Sequence, residues 1–228
     1  MQSFGAKLIE YGRDFDEAKE AAIRIASERG AKYAPSFHRD FVVGVASYAY
    51  ELFSAADDLD TVYVPIGLGS GICGVMGTRD AFGLKTKIGV VSAAANAYRL
   101  SFAAGRPTAT NSALTFAHGM AVRVPDPTAL ETIRKGAERI VEVSDDEIAE
   151  AIRVIYSATH NCAEGAGAAA FAALIKERGR LQGRRAAVIL TGQNIDRVWM
   201  QTVLAGRTPR IGQEIEPRAS RTVVIKTS

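Results

Sequence analysis

Thr61-Val62-Tyr63-Val64-Pro65-Ile66-Gly67-Leu68-Gly69-Ser70-Gly71-Ile72-Cys73-Gly74-Val75-Met76-Gly77 is the stretch on which the reading of this chain turns. Its first six residues are β-branched, aromatic or apolar, as a buried strand requires. Gly67, Leu68, Gly69, Ser70 and Gly71 then make a tight loop, and residues 72–77 start a helix directly from it. Amides at a helix start have no partner one turn back, and the helix dipole adds partial positive charge there. Glycine lets the main chain approach an anion without a Cβ in the way. The loop therefore reads as a seat for an anion, a phosphate group first of all. A plainer reading gives the glycines only the task of packing strand closely against helix.

Strand and helix patterns alternate on both sides of this stretch. Upstream, residues 7–11 read as a short strand. Asp14 and Glu17 form a capping-box pattern, Phe15, Ala18, Ala22, Ile25 and Ala26 follow at helical spacing, and Gly30 stands where a C-cap belongs. Residues 31–34 resemble another short strand, stopped by Pro35, and residues 41–53 a helix. Downstream, residues 87–91 read as a strand, 94–104 as a helix closed by Gly105, 106–115 as a polar surface loop and 121–124 as a short strand. Asp126-Pro127 opens a helix, and residues 139–143 read as a strand. Ser144 and Glu147 give a second capping box, with Ile148, Ile152 and Ile155 on the buried face behind it. Residues 164–178 form a Gly/Ala-rich helix. The apolar run 186–190 is expected to be a central parallel strand, ending at Thr191-Gly192-Gln193-Asn194. Residues 196–205 read as helical. The chain then turns basic, with Val223-Val224-Ile225 as an edge strand or part of a loose tail.

This alternation predicts an α/β fold with an open, mostly parallel sheet and helices on both faces. The acidic turn at residues 57–60 suggests a boundary. The expected division is 1–55 as the remainder of a small α/β domain, 56–206 as a large cofactor-binding domain and 207–228 as a basic tail.

The totals narrow the function. With 47% apolar and 23% charged residues in 228, a sizeable core can form. Twenty-eight basic against 25 acidic residues leave a net charge of +3, too balanced for a nucleic-acid surface, so no nucleic-acid partner is expected. No apolar run of roughly 18 residues exists, so no membrane span is expected. The first residues lack the layout of a signal peptide. Two cysteines, Cys73 and Cys162, make no disulfide framework, which fits a cytoplasmic, reducing compartment. None of the three histidines pairs with cysteine at metal spacing, so no metal site is expected. His38, His118 and His160 read as loop histidines with ordinary hydrogen bonds, and Cys73 as packing.

In open α/β sheets ligands sit at the carboxyl ends of strands, and here two such ends are polar turns, residues 67–71 and 191–194. Gly69 to Gly74 also fits G-x-G-x-x-G, the dinucleotide fingerprint. The next strand ends Val90-Val91-Ser92, however, without the acid that would hold a ribose hydroxyl. No Gly-Lys-Ser/Thr follows the glycines, so the loop is not of the Walker type either. A smaller phosphate-bearing cofactor remains.

Four segments in order, 64–71 (Val-Pro-Ile-Gly-Leu-Gly-Ser-Gly), 143–148 (Val-Ser-Asp-Asp-Glu-Ile), 164–168 (Glu-Gly-Ala-Gly-Ala) and 190–196 (Leu-Thr-Gly-Gln-Asn-Ile-Asp), resemble the serine/threonine dehydratases, fold-type-II enzymes that use pyridoxal 5′-phosphate. The resemblance runs from about Gly5 to about Gly206. The loop together with Gly44-Val45-Ala46-Ser47-Tyr48 is similar to the branch of the family associated with hydroxyectoine utilisation. The resemblance implies the large domain of the tryptophan synthase β-like fold and part of its smaller one. It implies that Gly67, Leu68, Gly69, Ser70 and Gly71 hold the cofactor phosphate through backbone amides. Thr191 matches the residue that hydrogen-bonds the pyridine nitrogen, Asn194 braces that turn, and Glu164 lies near the ring. For Glu164 a plain helix-start carboxylate is the competing reading. A small amino-acid substrate and a homo-oligomer, a dimer, are further implications.

The family's Schiff-base lysine lies in a Ser-x-Lys-x-Arg-Gly-like stretch that has no counterpart here, so the catalytic residue is expected outside this chain. Lys7, Lys32, Lys85, Lys87 and Lys176 read as surface residues. The sequence is expected to start about a third of the way into the family pattern. Where relatives often have Ala-Asp-Gly this chain has Ala117-His118-Gly119. Four activities stay in competition: β-elimination of water from a hydroxy-amino acid, racemisation from the same deprotonated state, an inactive relative serving as a binding or assembly protein, and a nicotinamide-nucleotide enzyme.

Overall fold

The computed structural model of the protein describes residues 4–12, 14–211 and 222–225. Its contacts form two units, residues 37–213 and residues 1–36 with 214–228. In the smaller unit β1 (Lys7–Glu10) leads into α1 (Phe15–Glu28). The Asp14 carboxylate starts α1 by accepting the amide of Glu17 at 3.1 Å, and Ala18, Ala21 and Ile25 supply its buried face. Residues 31–34, expected as a strand, are irregular: they pair with no strand among the described residues, and Pro35 has no amide to give.

The larger unit opens with α2 (Arg39–Ala55), capped by His38, whose Nδ1 accepts the Asp40 amide at 3.2 Å. Then come β2 (Thr61–Pro65), α3 (Ser70–Ala81), β3 (Lys87–Ser92) and α4 (Ala97–Ala104). α5 (Pro127–Gly136) begins where Asp126 accepts the amides of Thr128 and Ala129, with proline at the first helical position. Before it, residues 121–124 form no strand. The amides of Ala121 and Val122 turn back locally to His118 and Met120, which removes two ladder donors. β4 (Arg139–Glu142) precedes α6 (Asp145–Thr159), whose Ser144–Glu147 capping box is present in both directions. α7 (Gly165–Lys176), β5 (Ala186–Val188) and α8 (Arg197–Leu204) complete the unit. β6 (Thr222–Ile225) returns to the smaller unit and pairs antiparallel with β1.

The larger sheet is parallel, in the order β4-β3-β2-β5. Helices cover both faces, as the alternating pattern predicts. Val62 and Val64 of β2 face a core of Phe53, Ile72, Met76, Leu130 and Ile133, drawn from α2, α3 and α5. Tyr63, pointing the other way, joins Ile148 and Ile152 of α6, the alanines of α7, and Trp199 of α8. Every residue of β2 is buried. The run 186–190, expected at the centre of the sheet, is instead a half-buried edge strand. It pairs only with β2 among the described residues, and three of its residues keep regular geometry. Beneath β2, the Tyr63 hydroxyl donates to Glu177 Oε2 at 2.6 Å, and the Arg139 guanidinium binds the same carboxylate. The division observed falls at residues 36/37, whereas the sequence places one at 55/56, because α2 packs on α3 and so belongs to the larger unit. No helix among the described residues is long and apolar enough to cross a membrane.

Candidate cofactor site

The chain lays down β2, β3 and β4 outward in one direction, then returns to place β5 on the opposite side of β2. The carboxyl ends of β2 and β5 flank that reversal, the position at which open α/β sheets bind ligands. Residues 67–71 leave β2, and residues 191–194 follow β5. The two polar turns thus emerge from adjacent parallel strands at the same edge of the sheet.

Close backbone contacts tie them into one cluster. A Cβ built on Gly67 would lie 2.3 Å from the carbonyl oxygen of Gly119, and one on Gly119 would lie 3.0 Å from the Cβ of Ala166. At the other end of the cluster, the Glu164 amide donates to the Gly192 carbonyl at 3.1 Å. A Cβ on Gly192 would meet Glu164 Oε1 at 2.1 Å. Segment 117–119 and the start of α7 therefore bridge the loop after β2 to the turn after β5. That segment is anchored by Thr115, which is fully buried and donates to Asp145 Oδ1 at 2.5 Å, while the Ala117 amide donates back to Thr115 at 3.1 Å. His118 lies on the same segment, its ring 4.8 Å from that of Trp199.

The loop is held open from outside. Gly69 takes a left-handed conformation, φ +109°, and leads straight into α3. The Leu68 carbonyl accepts the Tyr98 hydroxyl at 2.9 Å, and the Gly71 carbonyl accepts that of Tyr48 at 3.1 Å. Among the described residues the amides of Leu68, Gly69, Ser70, Gly71 and Ile72 have no acceptor. A Cβ on Gly69 would press on Ala129 at 2.7 Å, and one on Gly74 would approach the Val42 carbonyl at 3.1 Å. The glycines therefore serve packing, as the plainer reading has it. The unused amides at the start of a twelve-residue helix are a separate feature, and they fit a phosphate dianion.

The remaining residues singled out by the sequence are placed as follows. Glu164 stands at the N-cap position of α7, half-buried, and its carboxylate has no hydrogen-bond partner among the described residues. Burial pushes its pKa above the ordinary carboxylate range. Thr191 and Asn194 are exposed, and their side chains are likewise unpartnered among the described residues. Lys85 and Lys87 lie at the amino end of β3, on the opposite edge of the sheet. Lys176 ends α7, a helix about 18 Å long whose other end is the site, and donates to the Glu142 carbonyl at 2.9 Å. A cleft of about 470 Å³ lies at the amino ends of the strands, away from the two turns, and its lining residues pair with one another, Arg184–Asp60 at 3.0 Å and Lys87–Glu138 at 2.8 Å. Among the described residues no three His, Cys, Asp or Glu side chains converge on a metal position. Sequence reasoning did not find Tyr98 or the bridging role of Gly119. Their partners lie 28 or more residues away, and nothing local signals them.

Fold and site together define an α/β protein with two polar turns at the switch point of a parallel sheet. The sequence pattern of the pyridoxal-phosphate dependent enzymes matches residues 1–192, and the chain belongs to that family. The dinucleotide reading of residues 69–74 gives way to it. Over 197 residues the chain is 32% identical to an L-threonine ammonia-lyase of Thermotoga maritima, covering 86% of this chain and 49% of that one. The processed form of threonine deaminase isoform 2 from Solanum lycopersicum superposes with a TM-score of 0.80 at 29% identity, over 87% of this chain and 56% of that one. Maize serine racemase superposes at 0.74 with 23% identity, over 83% and 61%, a likeness of fold. The chain spans about half the length of the Thermotoga relative.

Proposed function

We propose that this chain forms the cofactor-holding part of an enzyme that eliminates water from a small hydroxy-amino acid, giving a 2-oxo acid and ammonia. The observation that carries the reading is the pair of polar turns after adjacent strands β2 and β5, bridged by Gly119 and Glu164. Pyridoxal phosphate, when bound, supplies an electron sink for the substrate's α-carbon. The amides of residues 67–72 bind its phosphate. The Thr191 hydroxyl hydrogen-bonds the pyridine nitrogen without protonating it, and Asn194 steadies the turn. Glu164, raised in pKa by burial, borders the ring. The lysine that moves the α-proton is supplied by a segment other than this one, a reading supported by the lack of a Ser-x-Lys-x-Arg-Gly-like stretch in the sequence and by the distance of Lys85, Lys87 and Lys176 from the turns. The hydroxyectoine-associated branch, a homodimer and a cytoplasmic location complete the reading.

Borohydride reduction of the chain mixed with pyridoxal phosphate, followed by peptide mapping, tests it. Phosphate-dependent binding without a reduced adduct is expected. A single specific adduct at any lysine of this chain would overturn the assignment of the lysine. With the lysine-bearing segment supplied, L-serine or L-threonine should yield 2-oxo acid and ammonia. Formation of the D-amino acid instead would favour racemisation.

A further inference from the structure

We infer that Tyr98 and Tyr48 are the positioning residues of the phosphate seat, acting through the backbone of the loop they touch; this rests on the reading of residues 67–72 as that seat. A peptide unit is planar and trans, so its C=O and N–H point in opposite directions. A bond that fixes one therefore aims the other. Tyr98 binds the Leu68 carbonyl and so aims the Gly69 amide away from itself; Tyr48 binds the Gly71 carbonyl and so aims the Ile72 amide. Both of these amides lack an acceptor among the described residues. The tyrosines reach the loop from different helices, Tyr98 from α4 and Tyr48 from α2.

The Tyr98 hydroxyl is itself held in place. Tyr98 is 2% exposed, and its oxygen accepts the Asp126 amide at 3.1 Å while donating to Leu68. The same oxygen thus links the start of α5 to the loop. Burial pushes both phenols up, Tyr48 to about 12, so both remain proton donors across the range in which the protein is handled. The loop needs such restraint because Gly69, left-handed ahead of α3, lets the adjoining peptide planes rotate cheaply, while Gly71 lies in the first turn of α3, where the bond from Tyr48 adds to the hold of the helix. Rotation of either plane would replace a donor with a carbonyl oxygen facing the phosphate, converting attraction into repulsion. Phenylalanine at either position keeps the ring packing; at position 48 it removes only the restraint, and at position 98 it also takes the acceptor from the Asp126 amide.

The test compares pyridoxal phosphate with pyridoxal, which lacks the phosphate, by equilibrium dialysis against the full chain. The wild-type protein should prefer pyridoxal phosphate. Tyr98→Phe and Tyr48→Phe should each lower affinity for pyridoxal phosphate about tenfold and leave that for pyridoxal unchanged, so that the ratio falls. A general loss of fold would lower both affinities together. If Tyr98→Phe does not fold, Tyr48→Phe, on the less buried ring, carries the same expectation. Variants that keep the wild-type ratio would overturn the positioning role while the seat stands. A wild-type protein with no preference would overturn the seat and this inference with it.

Discussion

Glu164 shows how one residue can be placed by sequence and still surprise in its energetics. Its position at a helix start was legible, and a carboxylate there ordinarily gains from the dipole. The structure adds burial without a hydrogen bond, and burial prevails, raising its pKa. A folded-state pKa above the unfolded value makes the protein more stable below the ordinary carboxylate range, and that stability is lost as pH rises through the folded value. Glu164→Gln should therefore melt higher than wild type at neutral pH, with the gap closing as pH falls through the carboxylate range. A gap independent of pH would show that ionisation is not the cause. The glycine loop was equally legible at this scale, because strand, glycines and helix are contiguous. Tyr48 and Tyr98 were not, since their bonds span 23 and 30 residues. A buried tyrosine needs a partner for its hydroxyl, but its own sequence does not name one.

Among the elements, the capped helices followed their local signals, because a cap is set by residues three positions apart. Strands were harder. The apolar run 186–190 looked central, yet composition reports how buried a residue is and not how many strands flank it. Residues 31–34 and 121–124 had strand-like content but no ladder to join. The contact between α2 and α3 brings backbone against a missing side chain: the Cβ position of Gly74 lies 3.1 Å from the Val42 carbonyl and 3.3 Å from the Ala46 backbone. Backbone gives way less readily than a flexible side chain. Gly74→Ala should cost about 1–3 kcal/mol in denaturant unfolding, with the α2 face that carries Tyr48 displaced. An unchanged midpoint would mean that the two helices separate without penalty.

For the molecule as a whole, the alternation of strand and helix patterns made the parallel sheet and its two covered faces legible in the sequence. The division at residues 36/37 was not, because the acidic turn at 57–60 resembles a linker while α2 before it is packed into the core. Both hydrophobic clusters lie entirely within residues 37–213. A chain cut to residues 37–211 should accordingly keep a single cooperative thermal transition. A broad, non-cooperative melt would show that the sheet depends on the segments removed.

The switch in strand order also has a consequence for biosynthesis. Five α-helices and three strands are made between the loop after β2 and the turn after β5. On the ribosome the glycine loop emerges early, and the polar turn opposite it is among the last parts of the sheet to appear. A nascent chain arrested before Ala186 would hold only one of the two turns, so on the function proposed here capture of the cofactor would wait for translation to pass Asn194.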